Sequence, residues 1–483
     1  MHRLAKLDRA HVWHPFTQMR DWLKREPIVI ASGTGAILRD VNGREYLDAN
    51  SSIWTNLHGH NHPKINAAIS RQLKKIAHSS ALGFANEPAS LLAEKLVLVA
   101  SSKLTNSNSK LGKVFFSDDG STAMEVALKL AYQYSSRIRG ASCPSALMKK
   151  FPPRFLSLDG AYHGDTVGAV SVGHIDLFHN ACSGLLFKTD KVMSPYCYRC
   201  PFNRAKPERA DAREYRKCNW ECVGLVEKKF GAHKRKGNPY AAFVFEPLMQ
   251  GSAGMIPQPV GWLKQVTEIA RGHGALLIAD EVMTGFGRTT SHSALRTSHF
   301  PLFACQTENV QPDFLCLAKG MTGGYLPMAA TLTTREIFDA FLGEYTEFKT
   351  FFHGHSYTGN QLGAAASLAS LELLQSKKST QMRIRLETVL REELQSLWQL
   401  PNVGDVRQAG LIAGIELVRN WRTREPFDLR ARVGIRVCEA MAKRGVLTRP
   451  IGNVIVLMPP YCTTKAQLQK MVQALCEAVA EVF

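Results

Sequence analysis

The feature that most constrains the fold of this 483-residue chain is a lysine in an awkward place. In the stretch Asp313 to Thr331, DFLCLAKGMTGGYLPMAAT, the apolar run Phe314 to Ala318 predicts a buried strand that delivers Lys319 straight into a turn containing Gly320, Gly323 and Gly324. An ammonium group is costly to bury, so such a lysine either snorkels out to water or is held with a lowered pKa for chemistry. Thirty-nine residues upstream of that lysine stands Asp280, and with Glu281 it ends a second apolar run, Ala275 to Ala279. Open parallel sheets bind ligands where strands end in this way. The separation suits neighbouring strands joined by a crossover, so the acid and the amine can share a site. The plainer alternative is two unrelated strand ends with solvated charges.

A lysine paired with a carboxylate is what pyridoxal phosphate chemistry needs: an amine to bond the cofactor's carbonyl, and an acid facing its ring nitrogen. Other polar groups fall at strand ends too. In KVFFSDDGSTAMEVALK a strand from Val114 to Phe116 runs into Gly120, Ser121 and Thr122, and a helix starts near Thr122 or Ala123. Such a helix amino end offers backbone N–H groups and hydroxyls to a phosphate, although a merely well-capped helix has the same wording. Neither a P-loop nor a dinucleotide fingerprint is present. The strand Phe155 to Leu158 leads to Tyr162, set among small residues, which would stack on a flat ring or fill a core. A further strand, Ala241 to Pro247, carries Glu246, and the helical stretch Trp262 to Arg271 follows. This alternation of strands and helices predicts an α/β fold with a mostly parallel sheet covered on both faces.

The formal charge of +19 is spread along the chain and no helix-turn-helix, RNA-recognition or finger pattern accompanies it, which argues against nucleic-acid binding. No stretch has the apolar length of a signal peptide core or a membrane span, so the expectation is a soluble, cytoplasmic protein without a membrane partner. Eleven cysteines, several in apolar runs, read as reduced thiols. Four of them, Cys197, Cys200, Cys218 and Cys222, have a spacing close to that of a zinc ribbon, with a surface excursion as the alternative. The alternating His58, His60 and His62 are not expected to bind metal, because Gly59 and Pro63 break the strand that would align them. Ser101 to Lys110 is a polar loop, and Arg449, followed by Pro450, would suit a substrate carboxylate or an ordinary surface ion pair.

The segments ADEVMTGFGRT and LAKGMTGGYLPMAA, with SDDGSTAMEVALK and YHGDTVGAVSV ahead of them, resemble the class III pyridoxal-phosphate aminotransferases over nearly the whole chain. The resemblance implies the fold type I of pyridoxal-phosphate-dependent transferases. The large cofactor-binding domain would span residues 71–345, and a smaller α+β domain would form from residues 1–70 and 346–483. It implies that Lys319 carries the cofactor and moves the proton, that Asp280 faces the pyridine nitrogen and that Tyr162 lies against the ring. Gly120, Ser121 and Thr122 would bind the phosphate, completed by Ser356 from a partner subunit, so a homodimer is expected. Trp54, Arg449 and Phe16 would bind substrate. HVWHPFTQM, HGHSYTGN and TRPIGNVIVLMPP resemble the branch that aminates 8-amino-7-oxononanoate in biotin biosynthesis. Phe16, Ile53 and Val456 depart from the form of that branch that uses S-adenosylmethionine, and the remaining wording implies lysine as the donor. The alternatives are an ω-amino acid:pyruvate or acetylornithine type of aminotransferase, or a catalytically silent binding protein on the same fold.

Overall fold

The structure, a computed structural model, describes residues 1–101, 111–142, 153–289 and 301–483. Most of the expected polar loop Ser101 to Lys110 lies outside the described residues. Seven strands form the principal sheet: β1 (Leu111–Ser117), β2 (Arg154–Leu158), β3 (Asp190–Val192), β4 (Tyr240–Phe245), β5 (Leu276–Asp280), β6 (Phe314–Leu317) and β7 (Ala329–Thr334). Their order is β1-β7-β6-β5-β4-β2-β3. β7 runs antiparallel to both neighbours, and the other adjacent pairs are parallel. Every residue of β4, YAAFVF, is buried, as a central strand with both faces covered requires.

Helices cover the sheet. The first, α1 (Gly120–Ser142), follows β1 and buries Ala123, Met124, Ala127 and Ala131. It begins at Gly120, two or three residues before the expected start, because the Asp119 carboxylate accepts from Thr122 N–H at 2.9 Å and closes the first turn earlier. Helices α2 (Glu221–Arg235) and α3 (Trp262–Gly272) connect β3 to β4 and β4 to β5.

Two smaller sheets flank this body. Ile30–Thr34, Ile37–Asp40 and Glu45–Asp48 form an antiparallel meander, with Asn42 and Gly43 in the turn between the last two strands. Val446–Leu447 joins it in parallel, tying the two ends of the chain together. The second, antiparallel sheet contains Val403–Ala409, Ile412–Asn420, Val454–Leu457 and Pro450–Ile451. Within it Arg407, almost fully buried, bonds Asp405 at 2.9 Å and Glu416 at 2.7 Å, so three charges are compensated away from water. Among the described residues no helix is long and apolar enough to cross a membrane.

Candidate active site

The carboxyl ends of β1, β2, β4, β5 and β6 converge on a cavity of about 500 Å³ lined by Gly120, Ser121, Tyr162, Glu246, Asp280 and Lys319, among others. The sheet register explains the central pair. Asp280, the last residue of β5, lies opposite Cys316 of β6, and Lys319 is three residues further on. The chain turns there, with Lys319 at φ 43°, and its amine stands 4.7 Å from the centroid of the Trp54 ring. Burial pushes the lysine pKa below its ordinary value, while Asp280 and Glu246 pull it back. The lysine is therefore a buried amine held among acids, not a snorkelling surface group.

Adjacent carboxylates at the end of β5 have separate roles. Asp280 accepts from Val282 N–H at 3.0 Å and pairs with His163 Nδ1 at 2.8 Å, leaving the acid oriented toward the cavity. Glu281 turns the other way into the core, where it accepts from the N–H groups of Ala304 at 2.6 Å and Cys305 at 2.8 Å. Burial pushes Glu281 up to about 7 in spite of those bonds. Glu246, also buried, accepts from Gly251 N–H at 2.7 Å. Its pKa is likewise raised by burial to about 7, with His163 acting against the rise. Sequence reasoning gave His163 and Glu246 no role at the site. The histidine between Tyr162 and Gly164, and the acid ending β4, were the available signals.

At the other end of the cavity Gly120 and Ser121 open α1. Thr122 N–H bonds Asp119 Oδ1 and Ala123 N–H bonds the Asp119 carbonyl, so the N–H groups of Gly120 and Ser121 are the ones left for an anion. A Cβ on Gly120 would come within 2.7 Å of Val282, and one on Gly164, at φ +119°, would collide with Ser121 Oγ. Both glycines are thus required by the close packing of this end. Thr122 does not line the cavity: its hydroxyl donates to the Asp119 carbonyl at 2.8 Å and serves the turn.

Tyr162 lines the cavity and donates to Asp165 at 2.7 Å; burial first, then this bond, raises its pKa. Phe16 packs edge-on to Tyr162 at 6.4 Å, half exposed beside the cavity. Trp54 lies in a run, Ser51 to Trp54, of four successive residues with φ between 47° and 69°. Left-handed backbone is unfavourable for L-residues, above all for β-branched Ile53. Asp48 holds the run by accepting from Ser52 N–H at 3.0 Å and Ser52 Oγ at 2.8 Å, and Ser51 Oγ donates to the Met458 carbonyl at 2.6 Å. The indole N–H of Trp54 is buried without a hydrogen-bond partner among the described residues. Arg449 and Ser356 are exposed and outside the cavity lining of their own chain. Of the three histidines, His58 pairs with Ser370 and meets the His62 ring edge-on at 6.0 Å, and His60 pairs with Asp48.

A pyridoxal phosphate fits this donor set. Free helix N–H groups and a serine meet an anion, an amine meets a carbonyl, and an oriented carboxylate meets a ring nitrogen.

The family model for aminotransferase class-III matches residues 19–479. The chain is 46% identical to the adenosylmethionine-8-amino-7-oxononanoate aminotransferase of Geobacter sulfurreducens, over 99% of this chain and 98% of that one. The crystal structure of the protein of that name from Methanocaldococcus jannaschii matches with a TM-score of 0.85 and 39% identity, covering 99% of this chain and 98% of that chain. A pyridoxal-phosphate-bound amine transaminase from an uncultivated Pseudomonas species matches with a TM-score of 0.84 and 32% identity, covering 98% and 99%.

Proposed function

Because this chain belongs to the class-III aminotransferases, which depend on pyridoxal 5′-phosphate, we propose that it converts 8-amino-7-oxononanoate to 7,8-diaminononanoate in biotin biosynthesis, with lysine as amino donor. The observation that carries the chemistry is the meeting of Lys319 and Asp280, from different strands, in one cavity with the amino end of α1. The substrate is supported by the names of relatives matched over nearly their whole length; those names include adenosylmethionine, and the lysine donor rests on Phe16, Ile53 and Val456 alone.

When bound, pyridoxal 5′-phosphate supplies an electron-withdrawing ring and a carbonyl that takes an amino group from one substrate and yields it to the next. The chain's residues do the rest. Lys319 Nζ would hold the carbonyl carbon and, once released by the donor amine, would move the proton, a task that its lowered pKa suits. Asp280, fixed by His163, would keep the ring nitrogen protonated. Tyr162 would lie against the ring, and Gly120 and Ser121 would hold the phosphate. Thr122 contributes by closing the turn that presents them. Trp54 and Phe16 would line the path for substrate, and Arg449 would pair with its carboxylate. Ser356 would complete the phosphate site of a second copy, which makes the working form a homodimer. The domain division at residues 1–70, 71–345 and 346–483 is part of this reading, supported by the pairing of Val446–Leu447 with Glu45–Asp48. A cytoplasmic setting is supported by the free thiols of all ten described cysteines.

Half-reactions test the proposal. The cofactor-loaded enzyme, given lysine alone, should pass to its aminated form and then convert 8-amino-7-oxononanoate. Conversion with S-adenosylmethionine but not lysine would overturn the donor assignment. A substrate panel favouring acetylornithine or an ω-amino acid would overturn the substrate.

A further inference from the structure

Away from the active site, two pairs of thiols with seventeen residues between them meet. Cys197, Cys200, Cys218 and Cys222 line one small void of about 10 Å³, room for a single ion or water, together with Arg216 and Trp220. Cys197 lies within electrostatic reach of the other three. The excursion that carries them is ordered by its own bonds. Cys197–Arg199 forms a single 3₁₀ turn, and Asn203 N–H returns to the Cys200 carbonyl at 3.2 Å. The second pair is zipped to the first: Arg204 N–H donates to the Lys217 carbonyl at 3.0 Å, and Lys217 N–H donates to Asn203 Oδ1 at 3.0 Å. Trp220, in the left-handed region at φ 60°, then turns the chain so that Cys222 enters the first turn of α2.

Burial pushes the thiols of Cys197 and Cys222 up, and Arg216 and Trp262 act against that rise. The Arg216 guanidinium donates to Cys218 Sγ at 3.1 Å and is pinned over the Trp220 ring at 4.0 Å. Trp262, fully buried, stands beside Cys222 with its indole N–H within reach of that thiol. N–H donors aimed at sulfur are ordinary outer partners of metal-bound thiolates, and a cationic guanidinium offsets the surplus negative charge of four thiolates on one divalent ion. A C-x2-C turn facing a C-x3-C pair at a helix start is also a ligand arrangement suited to tetrahedral zinc. Among the described residues no three ligand-type side chains already stand in coordinating positions, so the thiols would complete the site by turning toward the void.

We propose that these four cysteines bind one structural zinc ion, which clasps the excursion between β3 and α2. The excursion is one bridge from the principal sheet to the C-terminal antiparallel sheet. Arg199 Nε donates to Glu416 at 2.7 Å, and Arg424 donates to the Tyr198 carbonyl at 2.7 Å. A zinc ion here would stiffen that bridge without touching the cavity that holds Lys319.

The test uses the full, reduced, cofactor-loaded enzyme, exposed to zinc or to cobalt(II) and then desalted. Stoichiometric retained zinc, and a cobalt form with thiolate charge-transfer absorption and tetrahedral ligand-field bands, are the expected results. Both should vanish in Cys197→Ser/Cys222→Ser and persist in Cys182→Ser, whose thiol lies outside the cluster. Should the double variant fail to fold, the cobalt spectrum of the unaltered chain still decides. A folded, active enzyme that retains no zinc and gives no charge-transfer band overturns the proposal. So does alkylation of the unfolded, unreduced chain that finds these four sulfurs paired as disulfides.

Discussion

The part of the cavity around Lys319, Asp280 and Gly120 is assembled from the strand ends of one sheet, whereas the residues expected to meet the substrate and the partner come from elsewhere. Trp54 arrives on a left-handed turn near the amino end, Phe16 lies half exposed against Tyr162, and Arg449 and Ser356 stand on the surface of their own chain. The first group is positioned by backbone pairing that a single chain completes. The second depends on loops, and for Ser356 on a second copy. On the proposed function, the cofactor chemistry is tied to the sheet and the contacts with substrate to loops around it.

Lys319→Ala should break the first group outright, lowering turnover by roughly 10³-fold or more in single-turnover assays while the circular dichroism stays native. Retained activity would remove the lysine from the chemistry. Asp280→Asn should cost on the order of 10²-fold in kcat, since the ring nitrogen loses its anionic partner, and His163→Asn should show a weaker form of the same defect. At the other end, Arg449→Ala should raise KM for the keto acid by about tenfold to a hundredfold and leave the lysine half-reaction unchanged. A change confined to the lysine half-reaction would place the arginine with the donor instead. Ser356→Ala should weaken cofactor retention by about fivefold. Mixing that variant with Lys319→Ala should regenerate one intact site in the mixed dimer, and unchanged retention after mixing would show that Ser356 serves no partner.

The smallest expected effect concerns the neighbouring acids. Glu281, held up to about 7 against 4.5 for a free glutamate, binds a proton in the folded state that it lacks when unfolded. Its contribution is thus present below about pH 4.5 and lost as pH rises through 7, on the order of 1–3 kcal/mol. Denaturant titrations should show that decline flattened in Glu281→Gln. An unchanged slope would mean that another buried carboxyl, such as Asp405, dominates.

Much of the principal sheet was legible because each strand is a short apolar run closed by a polar residue, a pattern local enough to read along the chain. β5, β6 and the turn at Lys319 were found in this way, and so were Tyr162 and the helix at Gly120. The three-residue β3 and the antiparallel β7 were not, the first for its length and the second because Ala329–Thr334, AATLTT, continues the glycine turn with small residues. Thr122 illustrates a different limit. Its place beside Ser121 suggested a phosphate ligand, yet its hydroxyl serves the Asp119 turn, a choice made by backbone geometry.

By itself the sequence determined which side chains sit at strand ends, since apolar runs, glycines and polar stops are local properties. Only the tertiary structure decided which of those ends meet: His163 with Asp280 across 117 residues, Glu281 away from the cavity, and four cysteines around one void. The reason is that strand order and register, not chain distance, fix the separation between strand ends, and both are settled by packing of the whole sheet and its helices.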